Sequence, residues 1–300
     1  MPFDEKYFST HTYADVSFAK YSQYWWSNRF YAALARRYGR RGARLLEIGS
    51  GLGHLVAQLE DSFQTFGMDL NHWAVKQSRP VVDASALMTA SAQELPFADG
   101  AFNVVIIKHI VEHLPNPEKA IAEIGRVTEA GGTLILATPN LASLLKPWKG
   151  DRWIGYQDPT HISLKPPEEW LNLIRAANFS LRRVFSDGFW DVPYLPAVPK
   201  QLQKLFFGSL GGFQAITGFI FLPMRWGESI IVIARKQQIE SRVSKVESSP
   251  CHPSPIFISS VSRHRSSVHE RTHRPRLRQV HFQRLEILRR LPARLESTRR

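Results

Sequence analysis

The chain has 300 residues, 43% of them hydrophobic, and can bury a sizeable core as one large domain or two small ones. Its single cysteine, Cys251, excludes an intramolecular disulfide and any multi-cysteine zinc site. The formal charge of +13 does not signal nucleic-acid binding by the folded part, because residues 235–300 carry 16 Lys/Arg against 5 Asp/Glu and leave the rest near neutral at +2.

The first residues, Met1-Pro2-Phe3-Asp4-Glu5-Lys6, lack the basic start and apolar run of a secretory signal, so a cytoplasmic location is expected. Residues 1–40 are rich in aromatics and form an expected N-terminal helical cap. A helix is predicted over 22–37, with Trp26, Phe30, Ala33 and Leu34 on one face. The favoured reading is packing on the edge of a sheet; the sharper one is a lid with Trp25 or Trp26 lining a cavity.

Residues 45–48 are a short apolar run of the kind found in buried parallel strands. They enter the cluster Gly49-Ser50-Gly51-Leu52-Gly53, where no side chain bars a ligand from the backbone. A helix is predicted over 54–60 from Leu55, Val56 and Leu59, its N-terminus favouring an anionic ligand group. A second strand over 63–68 ends at Asp69, whose carboxylate can accept both hydroxyls of a ribose. Further elements follow: a helix over 72–78, strands near 87–89 and over 102–107, a helix over 118–128 and, after Gly131-Gly132, a strand over 133–137. Strand alternating with helix at this spacing predicts a parallel, doubly wound α/β sheet that binds a nucleotide.

The glycines run G-x-G-x-G, not the dinucleotide pattern G-x-G-x-x-G. With Glu47 before them and Asp69 after, this stretch resembles motif I of class I S-adenosylmethionine-dependent methyltransferases. The run from Ala92-Gln93-Glu94-Leu95-Pro96-Phe97 to Phe102-Asn103-Val104-Val105 looks like the family's adenine loop and fourth strand. Glu112-His113-Leu114 and the segment from Arg126-Val127 to Thr138-Pro139-Asn140 match the family in order. Ser91 departs from it, standing where an acid commonly meets the adenine amino group. The resemblance points to the small-molecule branch, with its quinone, sugar and lipid methyltransferases. It implies a Rossmann-like seven-stranded sheet with an antiparallel last strand, spanning residues 41–236.

Beyond residue 140, Asp158-Pro159-Thr160-His161 precedes a helix from Pro166-Pro167 to Ala177, capped by Asn178, then a strand over 181–185. This loop resembles one that folds over the active site in many family members. Residues 191–227 form an apolar insert with an uncharged run over 205–222. A membrane span is rejected, since 230–234 reads as the seventh strand of the same sheet; cavity cover or contact with a membrane surface through that run, peripheral to a membrane, remain. Residues 237–300 read as a basic, disordered tail or a spurious extension, with a weak amphipathic helix over 281–295.

The resemblance implies S-adenosyl-L-methionine as cofactor. Gly49, Gly51 and Gly53 approach its methionine end, which Glu47 orients. Asp69 holds the ribose, Leu70 lies against the adenine, Ala92 and Gln93 meet the adenine edge, and Lys108 leaves the fourth strand at its ligand-binding end. If the acceptor needs a base, His161, oriented by Asp158, stands slightly ahead of His109, while His113 braces its loop. No metal site is argued from the spacing. The expected function is methyl transfer to a small-molecule acceptor, at oxygen, on a lipid-linked or envelope saccharide; the alternative is a non-catalytic binding or scaffold protein with the same fold.

Overall fold

A computed structural model describes residue 5 and residues 16–83, 85–187, 192–219 and 222–238. The predicted tail, from 239 onward, lies outside the described residues, as do parts of the apolar insert.

In chain order the elements are α1 (Gln23–Tyr38), β1 (Arg44–Ile48), α2 (His54–Ala57), β2 (Gln64–Asp69), α3 (His72–Ser78), β3 (Ala86–Thr89), β4 (Phe102–Lys108), α4 (Pro117–Val127), β5 (Thr128–Pro139), α5 (Leu145–Lys149), α6 (Ile154–Gln157), α7 (Pro167–Ala176), β6 (Phe179–Ser186), α8 (Lys200–Thr217) and β7 (Ser229–Lys236). The strands form one sheet in the order β3-β2-β1-β4-β5-β7-β6. β1 to β5 pair in parallel, and β7 runs antiparallel between β5 and β6. The expected seven-stranded Rossmann-like sheet is therefore present.

Alternation along the strands builds two cores. Val105 and Ile107 of β4 join Leu46, Ile48, Ile121, Ile124, Trp170 and Ile174 beneath α4 and α7. Val104 and Ile106 join Leu45, Ile135 and Ile231 beneath Phe30 and Leu34 of α1. Each fully buried Leu, Ile or Phe contributes about 1.5–3 kcal/mol relative to exposure.

Several sequence expectations need correction. α1 lies across a face of the sheet, not on its edge, and buries Asn28, Tyr31, Ala32 and Ala35 besides Phe30 and Leu34, while Ala33 is half-buried. The reason is a second layer: Gly218, which ends α8, sits against Ala33, and Ala215 of α8 shares the core beneath α1. The helix predicted over 54–60 is a single turn, α2, although Leu55, Val56 and Leu59 are buried as expected. The chain leaves α4 directly into β5, which skips four residues around Gly131-Gly132 between its pairings with Phe102 and Val104. The insert forms a helix despite Gly208, Gly211 and Gly212, each costing about 1 kcal/mol relative to Ala; Gly218 terminates it at φ 61°. Among the described residues, no helix is long and apolar enough to cross a membrane.

Candidate active site

The C-terminal ends of β1, β2 and β4 meet at the glycine turn. Gly49, Gly51 and Gly53 all have left-handed backbones, at φ 77°, 50° and 79°. The N–H groups of Gly49 and Ser50 both donate to Met68 O, at 2.8 and 2.9 Å, which folds the turn over the end of β2. A Cβ on Gly49 would overlap the Ile110 side chain, so the segment after β4 packs directly against the turn. Asp69 closes the arrangement: Oδ2 accepts from Gly51 N and Oδ1 from Asn71 N, each at 2.8 Å. Each carboxylate oxygen keeps capacity for a further donor. Burial raises the Asp69 carboxyl above its ordinary range, against the pull of these N–H groups.

Glu47 and Lys108 leave neighbouring strands on the α1 side of the sheet. Burial pushes the Glu47 carboxyl up to about 8 and the Lys108 ammonium down to about 8, each opposed by the other's charge. Lys108 Nζ donates to Asn28 Oδ1 at 2.5 Å and lies 5.3 Å from the ring centres of Tyr24 and Tyr31. The N-terminal region therefore reaches the crevice through Tyr24, Asn28 and Tyr31. Phe18 stacks on His54 of α2 at 5.0 Å. Trp26, named above as a cavity residue, lines a groove of about 440 Å³ with Tyr21, Lys204 and Leu205, between α1 and α8.

On the far side of Asp69, Leu70 is exposed and Ala92 is buried. Ser91 Oγ accepts from Gln93 N at 3.2 Å, so it folds its own loop. Arg126 holds that loop from α4, donating to Leu95 O, Phe97 O and Asp99 Oδ1 at 2.7–2.9 Å.

The second half of the crevice lies where β4, β5, β6 and β7 meet. Glu112 is completely buried; its Oε2 accepts from Thr138 Oγ1 at 3.0 Å and its Oε1 lies 3.2 Å from His109 Nδ1. The neighbouring histidines hold its carboxyl below its ordinary range, against the effect of burial. His109 has a left-handed backbone, φ 52°, and its Nε2 is 3.4 Å from Ser229 Oγ. The loop with His161 folds onto this segment, as Ser163 N donates to Glu112 O at 2.9 Å. Asp158 is not the orienter of His161. Its Oδ1 accepts from Thr160 N and Oγ1, an Asx turn, and His161 Nδ1 faces Gly155 O at 2.8 Å instead. His113 Nδ1 sits 3.2 Å from Thr160 O, bracing one loop against the other.

Sequence reasoning missed Asp187, Asn28 and Tyr31. Asp187 follows β6; burial raises its carboxyl to about 6, although the Ser229 N–H, donating to Oδ1 at 3.1 Å, and nearby His109 oppose the rise. Burial, with Asp187 and Glu112 nearby, also raises the Tyr31 hydroxyl. None of the three sits in a local motif. Their partners lie up to 156 positions away, as with Tyr31 and Asp187, so only a contact pattern could have exposed them.

This fold and crevice are those of the methyltransferases that use S-adenosylmethionine. The chain belongs to the methyltransferase domain family, which matches residues 18–184. It is similar to an uncharacterized methyltransferase of Mycobacterium avium, 32% identical over 99 residues, covering 32% of this chain and 39% of that one. It is also similar to the phosphatidylethanolamine N-methyltransferase of Cereibacter sphaeroides, 30% identical over 128 residues, 41% of this chain and 61% of that one. The chain thus spans less than two thirds of the length of either curated relative. Its fold resembles that of a methyltransferase from Thermotoga maritima dependent on S-adenosylmethionine, with TM-score 0.52, 17% identity and coverage of 72% and 94%. The cofactor is S-adenosylmethionine, and the crevice fits it: Glu47 Oε2, Ser50 Oγ and Asn28 Nδ2 are buried without a hydrogen-bond partner among the described residues. A group bearing both ammonium and carboxylate can satisfy such atoms.

Proposed function

We propose that this chain transfers a methyl group to a small-molecule acceptor, at oxygen, and that the acceptor is a lipid-linked or envelope saccharide. The observation that carries the reading is the crevice itself. A buried carboxylate with an unmatched oxygen lies at the glycine turn, and a histidine–carboxylate pair, His109 and Glu112, lies beyond Ile110.

When bound, S-adenosylmethionine supplies the methyl group as an activated electrophile on a positively charged sulfur. Glu47, with Gly49, Gly51 and Gly53, receives its amino-acid end; Asp69 receives the ribose hydroxyls. Leu70 covers one adenine face, and Ala92 and Gln93 meet the adenine edge. Lys108 favours the ionised form of Glu47 against the effect of burial and is anchored by Asn28. His109 is better placed than His161 to take the acceptor's proton, because its side chain is 28% exposed against 8%, and Glu112 fixes its ring. Residues 41–236 act as the catalytic domain, Tyr24, Asn28 and Tyr31 of the segment before it reach its crevice, and residues 237–300 are a basic extension.

The lipid-linked part rests on α8. Leu205, Phe206 and Ile216 are 74%, 63% and 66% exposed, and Lys200 and Lys204 share the helix. An apolar helix face beside lysines suits a membrane surface. One bacterial relative is, by its name, a lipid methyltransferase. Incubating cell extracts with the cofactor and the protein should yield a product heavier by one methylene; no such product in metabolite or lipid fractions overturns the acceptor reading. Flotation with anionic vesicles should be lost when Leu205, Phe206, Phe213 and Ile216 are changed to serine. Unchanged flotation removes the membrane part and leaves the transfer reaction standing.

A further inference from the structure

The loops after β4 and before α7 bring Glu112, His113 and His161 around one point. One carboxylate oxygen and one ring nitrogen from each histidine lie within 4.8 Å of one another. Hydrogen-bond direction settles both tautomers. Gly155 O, 2.8 Å from His161 Nδ1, can only accept, so that nitrogen carries the hydrogen. Thr160 O, 3.2 Å from His113 Nδ1, imposes the same on His113. Thr160 Oγ1 completes the chain, accepting from His113 Nδ1 at 2.9 Å and donating to Asp158 Oδ1 at 2.5 Å. A neutral histidine pinned in this way presents Nε2 as an electron-pair donor, the support that metal-binding histidines carry.

His161 Nε2 faces Glu112 Oε1 across 4.0 Å, with both side chains buried. Two electron pairs opposed in a buried site repel unless a cation lies between them. A single cation among Glu112, His113 and His161 meets all three donor atoms at once.

The geometry assigns to Glu112, His113 and His161 a divalent transition-metal cation. Two imidazoles and a carboxylate suit zinc(II) and its first-row neighbours, and disfavour magnesium and calcium, which take oxygen ligands. Donors about 2.0–2.2 Å from an ion stand roughly 3.3–3.5 Å apart, so a small inward rotation of the side chains closes the site. Thr138, donating to Glu112 Oε2, and His109, whose Nδ1 is 3.2 Å from Oε1, orient the carboxylate, and Oε1 keeps a second lone pair for the cation. Three protein ligands leave a coordination position open. The cation site stands on side-chain geometry alone; only the further step, that an acceptor oxygen takes the open position beside His109, rests on the methyltransferase reading.

Chelator-stripped full-length protein should be titrated with zinc(II) calorimetrically, with bound metal counted by mass spectrometry. H161A, H113A and E112Q should each bind about one equivalent less than wild type. H72A, a change at an exposed histidine on α3, should match wild type, and histidines beyond residue 238 count equally in every variant. Cobalt(II) provides a second measurement on wild type alone, with a visible absorption band of a site containing nitrogen ligands that excess magnesium does not abolish. Equal zinc stoichiometry in all four variants, or the absence of the cobalt band, overturns the assignment. Retained cofactor binding by the variants shows that metal loss is not unfolding. Failure here would leave the extract assay for methyl transfer untouched, so the two readings fail separately.

Discussion

At Gly49 two constraints coincide: a backbone at φ 77° and a neighbour, Ile110, where any Cβ would go. The left-handed backbone alone costs an alanine about 1–2 kcal/mol. G49A should therefore lower the unfolding free energy measured in urea by at least that much, and it should weaken cofactor binding, since relief requires Ile110 and the turn to separate. Asp69 makes the complementary case. D69A removes the acceptor for Gly51 N and Asn71 N as well as for the ribose, and a lost hydrogen bond to a charged group is worth about 1.5–3 kcal/mol. Calorimetry should show cofactor affinity reduced roughly 10- to 150-fold; an unchanged affinity would remove Asp69 from the site. Both residues were legible in the sequence because the turn and the acid are local features, separated by one helical turn and one strand. Glu112 was legible only as a family match. Its burial among three histidines depends on a loop about fifty residues further on, and spacing carries no trace of that.

The helices show the same division at the next scale. α4 and α7 were readable because each carries an apolar stripe and begins at proline. Asn178 indeed takes the left-handed backbone, φ 65°, that follows α7. α2 was overextended because burial of Leu59 looks helical in sequence, whereas the chain turns after Ala57 and Leu59 N bonds Val56 O. α8 was hardest to read: its glycines argue against a helix, and its apolar residues are largely exposed. What holds it is α1. Gly218 lies against Ala33, where an added Cβ would meet the Ala33 Cβ at 3.4 Å, and Arg37 Nη1 donates to Gly218 O at 3.4 Å. A33L should force these helices apart and cost about 1–3 kcal/mol by overpacking. A33S, nearly the same size, should cost much less. Equal denaturation midpoints for the two variants would mean that α8 is not packed here.

Across the whole molecule, Asp187 joins elements that are distant in sequence: it ends β6, takes the N–H that opens β7, and lies near His109 after β4 and Tyr31 of α1. Its carboxyl rises from an ordinary 3.8 to about 6 in the folded chain. Between those values the folded state binds more protons than the unfolded one, so stability falls as pH rises. The contribution is fully present below about pH 3.8 and is lost as pH passes 6, amounting to at most about 3 kcal/mol. D187N is uncharged at every pH, and its amide oxygen can still accept from Ser229 N. Wild type and D187N should therefore be nearly matched in urea at low pH, with wild type falling progressively below the variant as pH rises through 6. The neighbouring groups are the same in both proteins, so the difference between the two curves isolates Asp187 to the extent that its charge does not perturb them. A constant difference from pH 4 to 7.5 would show that Asp187 is ionised at little cost, and that water or a cation reaches the junction of the four elements.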